Sequence, residues 1–479
     1  MHRLLTAVHR MALVGQILIA AAALITLVAT LGSRIPDYAE GCELFLADRV
    51  RGGLSLYVDP AVGAHDYGPV PARFLVPYTP VYPWLLARVS GGLALQAGRG
   101  LGLISWLVAL ALVATRGGQR RPGALTLFFA SGLVGSLLLT RWAAMVRPDA
   151  LALFLVALAL SRSLRRGQAS PLDASLFVLG ALLKPNVFAS GLAALGVTLL
   201  LSPRLGALSV AAAALTALLG ITALHVASGG AFFSHLGTAH ALAFTLRQCL
   251  ERSLDRGLFF LPLFGLSLFF AFQRRHEPAA RMGSAALLLS LAVASAGFGK
   301  PGAADNYLLE PTLAALALLA RVEPERLSPR ALSGTLAAVL FAFAWGLPAS
   351  TGRIRDAYVV EPRLAAAVAA ARRGCLRAPG DLVLSNDPGV EYAVNGRIYT
   401  HGLELLLLAL QGRYPLAPWI ADVSSPHVTC FLSHARVPAA RPDGPFPEEV
   451  KAALAERLTL EGCDDPTCLF RDLGGLPSR

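Results

Sequence analysis

The residues of this chain that could do chemistry stand where long apolar runs are interrupted. Asp37 and Glu40, in "PDYAEG", come first. If a short helix starts there, the two carboxylates lie one turn apart and can face one cavity. A helix cap explains the same spacing, with Asp37 at the N-cap and Glu40 in the first turn. Asp149 follows Arg147 and Pro148 in "RWAAMVRPD". Proline in the first turn with an acid at the positive dipole end is an ordinary helix start. Arg141 and Arg147 share that connector, however, and forked guanidinium donors suit a phosphate.

Two later interruptions carry lysine. Lys184-Pro185-Asn186 breaks an otherwise apolar stretch. A tight turn explains the proline and asparagine, and snorkelling could accommodate the lysine. Lys300-Pro301-Gly302 precedes Asp305-Asn306-Tyr307, with Glu310 one turn into the next run. Gly302 permits close backbone approach, Lys300 can meet an anion, and Tyr307 can act as an interface anchor. A carboxylate can take the proton of a hydroxyl that is a poor nucleophile near neutral pH. Cations can stabilise a leaving phosphate as it gathers charge. His235 and His240 lack one-face helical spacing, and neither they nor His65 beside Asp66 have a third metal ligand in reach. There is no Gly-rich phosphate loop, no Ser-His-Asp order and no metalloprotease motif.

The elements that must position these groups are apolar. Hydrophobic residues make up 55% of the chain and charged residues 15%, a balance that fits a protein using lipid as solvent. Runs such as 11–31, 207–227, 258–272 and 331–347 are near the roughly 20 residues needed to cross a bilayer. The first follows Arg3 and Arg10 like a signal peptide. Its length and the many later runs favour a retained anchor. The formal charge of +12 does not indicate nucleic acid. The arginines sit in short clusters between apolar runs, without a basic face or stacking aromatics.

Arginine placement sets a topology. The segment "FLVPYTPVYPWLLARVSGGLALQAGRG" carries Pro77, Pro80 and Pro83, then Arg88 and Arg99. It is expected to lie in or dip into the outer interface without crossing. The basic connectors 116–122, 162–167, 273–281 and 321–330 then all face the cytoplasm, as does the amino terminus. This arrangement has about eleven spans and leaves the chain from about 351 onward outside. The polar connectors 37–41, 141–149, 183–186, 232–257 and 299–307 all fall on the outer side. Polar groups at membrane depth need partners or a function. The expectation is one cleft beside the outer leaflet.

The tail changes character. "DLVLSNDP" and "VTCFLSH" read as short buried strands, and "EPRLAAAVAAARRG" and "PEEVKAALAERL" as amphipathic helices. The predicted organisation is a helical transmembrane domain over 1–350, with its first outer loop at 33–100. A small extracytoplasmic α/β domain follows over 351–479. Cys463 and Cys468 are spaced for a small disulfide loop, with a free pair equally compatible.

The stretches "PDYAEG", "GGLSLYVDP", "YTPVYPWLLA", "VRPDALALFLVALAL", "LLKPN" and "GKPGAADNYLLEPTLAALALL" together resemble bacterial membrane glycosyltransferases of the GT-C superfamily. Protein O-mannosyltransferases and the lipid A aminoarabinose transferase are relatives in that superfamily. The similarity runs over about residues 10–350. The tail segment "LSNDPGVEYAVNGR" is similar to a branch of its members. The resemblance implies an inverting transfer of a sugar from a polyprenyl-phosphate-linked donor to a hydroxyl on a lipid, glycan or protein. It places the reaction at the outer face of the bacterial cytoplasmic membrane. The first-loop aspartate of the family matches Asp37, with Glu40 as companion, and its second acidic position matches Asp149. Two residues separate the first-loop acids here where the family often has adjacent ones, so either could be the base. Arg147, Lys184 and Lys300 are the candidate phosphate holders; Tyr78, Tyr82, Asn306 and Tyr307 would line the substrate cavity. Members divide between metal-free chemistry and a divalent cation such as magnesium or manganese, so either remains open. The rival reading is a lipid or sugar transporter or flippase, which would usually carry two related halves and charged sites near the midplane. No such halves are found.

Overall fold

The computed structural model describes residues 2–31, 35–115, 124–322, 328–355, 361–399, 402–434, 447–464 and 467–471. The basic connector at 116–122 and much of that at 321–330 lie outside these. The helices begin with α1 (His2–Leu31), α2 (Tyr38–Arg51), α3 (Val81–Ala87), α4 (Gly91–Ala114) and α5 (Ala124–Gly135). Next come α6 (Leu137–Ala144), α7 (Asp149–Arg166), α8 (Pro171–Leu183), α9 (Ala189–Leu201) and α10 (Pro203–Ala227). They continue with α11 (Phe232–His240), α12 (Leu246–Gln273), α13 (Pro278–Phe298), α14 (Leu309–Leu319) and α15 (Pro329–Arg355). The remaining part holds α16 (Glu361–Cys375), β1 (Leu382–Ser385), α17 (Pro388–Asn395), α18 (Gly402–Leu410) and α19 (Ala417–Val423). It ends with β2 (Val428–His434), α20 (Glu448–Arg457), β3 (Thr459–Asp464) and β4 (Thr467–Arg471).

The chain forms two compact units. The first comprises Met1–Thr30, Arg99–Leu224 and Phe244–Ile354. Its centre is α14, every residue of which is buried. A helix apolar all round has no solvated face, and α12 and α13 pack against this one. Leu208, Leu215, Leu218 and Leu219 of α10 are each more than half exposed, the surface expected of a helix meeting lipid. Among the described residues, five helices are long and apolar enough to cross a membrane: Arg10–Val28, Gly91–Ala114, Pro203–Ala227, Leu246–Gln273 and Pro278–Phe298. Other apolar runs appear as shorter helices, including α5, α8 and α9. The polar interruptions cause the shortening: Lys184-Pro185-Asn186 separates α8 from α9, for example.

The second unit comprises Leu31–Gly98, His225–Ala243 and Arg355–Arg479, so the tail packs together with the first loop. Its four-stranded sheet has the order β1-β2-β4-β3. β1 and β2 are parallel, while β4 is antiparallel to both β2 and β3. β1 is buried on both faces. Leu382 and Leu384 join a core with Trp419 and Leu454, and Val383 joins another with Leu364 and Val390. A disulfide between Cys375 and Cys430 ties α16 to β2. Cys468 is also disulfide-bonded and stands opposite Cys463 in the β3–β4 ladder. Arg73 of the first loop reaches the tail twice. Its N–H donates to Tyr399 O at 2.8 Å, and its guanidinium pairs with Asp422, Nη2 to Oδ1 at 3.2 Å.

Candidate functional site

In the first unit, three polar interruptions converge on Asp149. Pro148 precedes α7, and Asp149 opens that helix with 2% of its surface exposed. Asp149 Oδ2 accepts from Lys184 Nζ at 3.1 Å and from Arg147 Nε at 3.1 Å. Asp149 Oδ1 accepts from Asn306 Nδ2 at 2.7 Å. Lys184 ends α8 in an extended conformation and is 1% exposed. The Arg147 guanidinium lies 5.1 Å over the Trp142 ring. Two cations therefore share one carboxylate. Taking charges out of water is costly unless they are paired and hydrogen-bonded, and this pairing meets that condition. Its guanidinium and ammonium groups give the cluster a chemical capacity for anions.

The supports of the cluster are also visible. A Cβ on Gly102 of α4 would lie 2.5 Å from Ala143 O and 3.0 Å from Met145 O, so α4 is pressed against the connector carrying Arg147. Glu310, 5% exposed, accepts from Ser190 N–H at 2.7 Å, satisfying a donor at the start of α9 just after the Lys184 turn. Asp305 pairs with Arg256 at 3.4 Å. Lys300 O accepts from Gln248 Nε2 at 2.7 Å, and Tyr307 packs against Phe298 with ring centres 6.0 Å apart.

In the second unit, Asp37 is the N-cap of α2 and Glu40 folds back on it. Asp37 N–H donates to Glu40 Oε2 at 2.8 Å, so the cap geometry anticipated from the spacing is present. Asp37 is 7% exposed and Glu40 1%. Glu43 is buried as well, because α17 of the tail packs along α2. Tyr82 is buried, its hydroxyl 3.4 Å from Gly98 O, while Tyr78 is half-buried. His235 Nδ1 lies 3.3 Å from Val76 N and accepts its N–H, and His240 Nε2 lies 3.2 Å from Pro77 O. Both histidines hold the backbone of the proline-rich segment. Among the described residues, no three His, Cys, Asp or Glu side chains gather as metal ligands.

No family model matches the sequence, and no curated protein matches it. Solved structures do match the fold. ArnT from Cupriavidus metallidurans in the apo state superposes with a TM-score of 0.61 at 15% identity, covering 96% of this chain and 98% of ArnT. The same protein bound to undecaprenyl phosphate gives 0.58 over the same shares. The oligosaccharyltransferase AglB from Archaeoglobus fulgidus, in complex with an inhibitory peptide and a dolichol-phosphate, gives 0.48 at 10% identity over 98% of this chain and 75% of AglB. ArnT is the lipid A aminoarabinose transferase, a protein of the GT-C superfamily. This chain has the GT-C fold it shares with ArnT, a multi-pass helical membrane architecture with a small α/β part near the carboxyl end.

Proposed function

We propose that the protein is a glycosyltransferase that takes a sugar from a polyprenyl-phosphate-linked donor and passes it with inversion to a hydroxyl acceptor. The observation that carries this reading is the buried Arg147–Asp149–Lys184 cluster, whose guanidinium and ammonium donors suit a lipid-linked phosphate. The fold adds support, since ArnT has been seen bound to undecaprenyl phosphate. In the mechanism, Asp37 takes the acceptor's proton as the oxygen attacks the anomeric carbon. The bond from that carbon to the phosphate oxygen breaks, and the polyprenyl phosphate leaves with the electron pair. Arg147 and Lys184 stabilise the charge it gathers, while Asp149 and Asn306 keep both cations in place. Lys300 is a further phosphate holder, and Tyr78, Tyr82 and Tyr307 line the substrate. The proposed location is the outer face of the bacterial cytoplasmic membrane, with the amino terminus inside.

The test uses the full-length protein in nanodiscs with a panel of undecaprenyl-phosphate-linked hexoses and pentoses and a mixed pool of membrane acceptors. Release of undecaprenyl phosphate reports turnover whatever the sugar. Turnover by the wild type that is lost in Asp37→Asn is the expected result. Turnover retained by a well-folded Asp37→Asn protein removes Asp37 as the base. Vesicle movement of the same lipids without release would favour a flippase.

A further inference from the structure

We infer that Asp387-Pro388-Gly389, in the tail, is the positioning element for Asp37. The inference rests on the reading of Asp37 as the base. The contact is backbone on backbone. A Cβ on Gly41, one turn into α2, would lie 2.6 Å from both Gly389 Cα and Pro388 O. A Cβ on Gly389 would meet Pro36 O and stand 2.5 Å from Asp37 O. Real Cβ atoms essentially never approach so closely, so any side chain at either position must push the two segments apart.

The contact lands on the peptide unit that carries the candidate base. Asp37 O also accepts from Gly41 N–H at 2.9 Å, and Glu40 occupies the Asp37 N–H. Gly389 lies against the same carbonyl. The tail segment is itself held from the sheet. Asp387 Oδ1 accepts from Gly389 N–H at 2.8 Å and Val390 N–H at 3.3 Å, capping α17. Asp387 N–H donates to Ser385 Oγ at 3.1 Å, and Ser385 Oγ–H donates to Leu432 O at 2.7 Å on β2. A continuous line of hydrogen bonds and close contact thus runs from β2 through Ser385, Asp387 and Gly389 to Asp37. A group that must meet a reacting proton gains from support on a rigid element, and a 1 Å displacement can cost about 100-fold in rate. Small residues alone would also let two helices pack. The position of this contact on the capping turn of Asp37 makes it a positioning device.

The test compares Gly389→Ala and Gly41→Ala, which intrude on the contact from opposite sides, with Tyr392→Phe. Tyr392 lies further along α17 and its hydroxyl donates to Asp48, away from the cap. Hydrogen exchange gives a readout independent of turnover. Amides of residues 38–42 exchange faster in both glycine variants and at wild-type rates in Tyr392→Phe. For the donor that the wild type turns over, kcat falls about tenfold or more in the glycine variants with KM for the lipid donor nearly unchanged. Asp387→Ala behaves like the glycine variants. Asp387→Asn, which keeps the capping oxygen, restores both readouts. Unchanged exchange at 38–42 in Gly389→Ala overturns the inference, as does an equal loss of kcat in Tyr392→Phe. Full turnover by Asp37→Asn instead strikes the assignment of the base and leaves the exchange result standing.

Discussion

Lys184 Nζ lies 3.1 Å from Asp149 Oδ2, although 35 residues of helix and turn separate them in the chain. Arg147 shares the same oxygen, so one carboxylate serves two cations. Changes at the two ends of this arrangement should therefore differ in kind.

Lys184→Met keeps the Arg147–Asp149 pair, at an expected loss of about 1–3 kcal/mol. Asp149→Asn leaves two buried cations facing each other, and should cost about 3–5 kcal/mol. Thermal unfolding in nanodiscs orders the two. Undecaprenyl phosphate binding should move the other way, weakened in Lys184→Met and retained in Asp149→Asn. Wild-type binding by Lys184→Met would show that the lysine does not hold the phosphate.

Gly102→Val should act on Arg147 without touching it. The new side chain must displace Ala143 O and Met145 O, at an expected overpacking cost of about 1–3 kcal/mol. Weaker undecaprenyl phosphate binding than in Gly92→Val, at a helix position with open space, is the outcome to look for.

Glu310→Leu removes the acceptor of Ser190 N–H and leaves a buried donor unmade, costing about 1–3 kcal/mol. Glu310→Gln keeps an oxygen acceptor and should recover most of that loss. Melting temperatures of the two variants settle whether the buried carboxylate serves the start of α9 as a cap.

Arg73→Ala should make the second unit sensitive to pH. Burial pushes the Asp422 carboxyl above its usual range, against the lowering effect of Arg73 beside it. A raised carboxyl favours the protonated form in the folded state, so its contribution is present at acid pH and fades as pH rises through the raised value. Without Arg73 the rise is larger. The destabilisation, about 3–5 kcal/mol at neutral pH, should shrink as the solution is acidified. Denaturant titrations at neutral and acid pH measure it.

Much of the cluster around Asp149 was legible in the sequence, because a charged or amide side chain inside an apolar run must have a partner. Arg147, Lys184 and Asn306 each interrupt such a run, and all three meet Asp149. The strands at 382–385 and 428–434 were equally visible as short apolar stretches between turn residues. Pairing was not legible. Nothing in the pattern of "DYAEG" or "NDPGVEY" indicates that Gly41 and Gly389 touch, since a glycine announces freedom without naming what approaches it. The Cys375–Cys430 bridge was not legible for a related reason: its halves lie on separate elements, 55 residues apart.

The contact between α2 and α17 also has a consequence for biosynthesis. Tyr392 and Asp48 meet across 344 residues of chain. At about 5–20 residues per second, the ribosome needs roughly 20 to 70 s to deliver the second after the first. Throughout that interval a nascent chain carries Asp37 without the wall that Gly389 provides. The acid acquires its final surroundings only once Gly389 has been made, so a chain that stops short of it cannot complete the turn around its own aspartate.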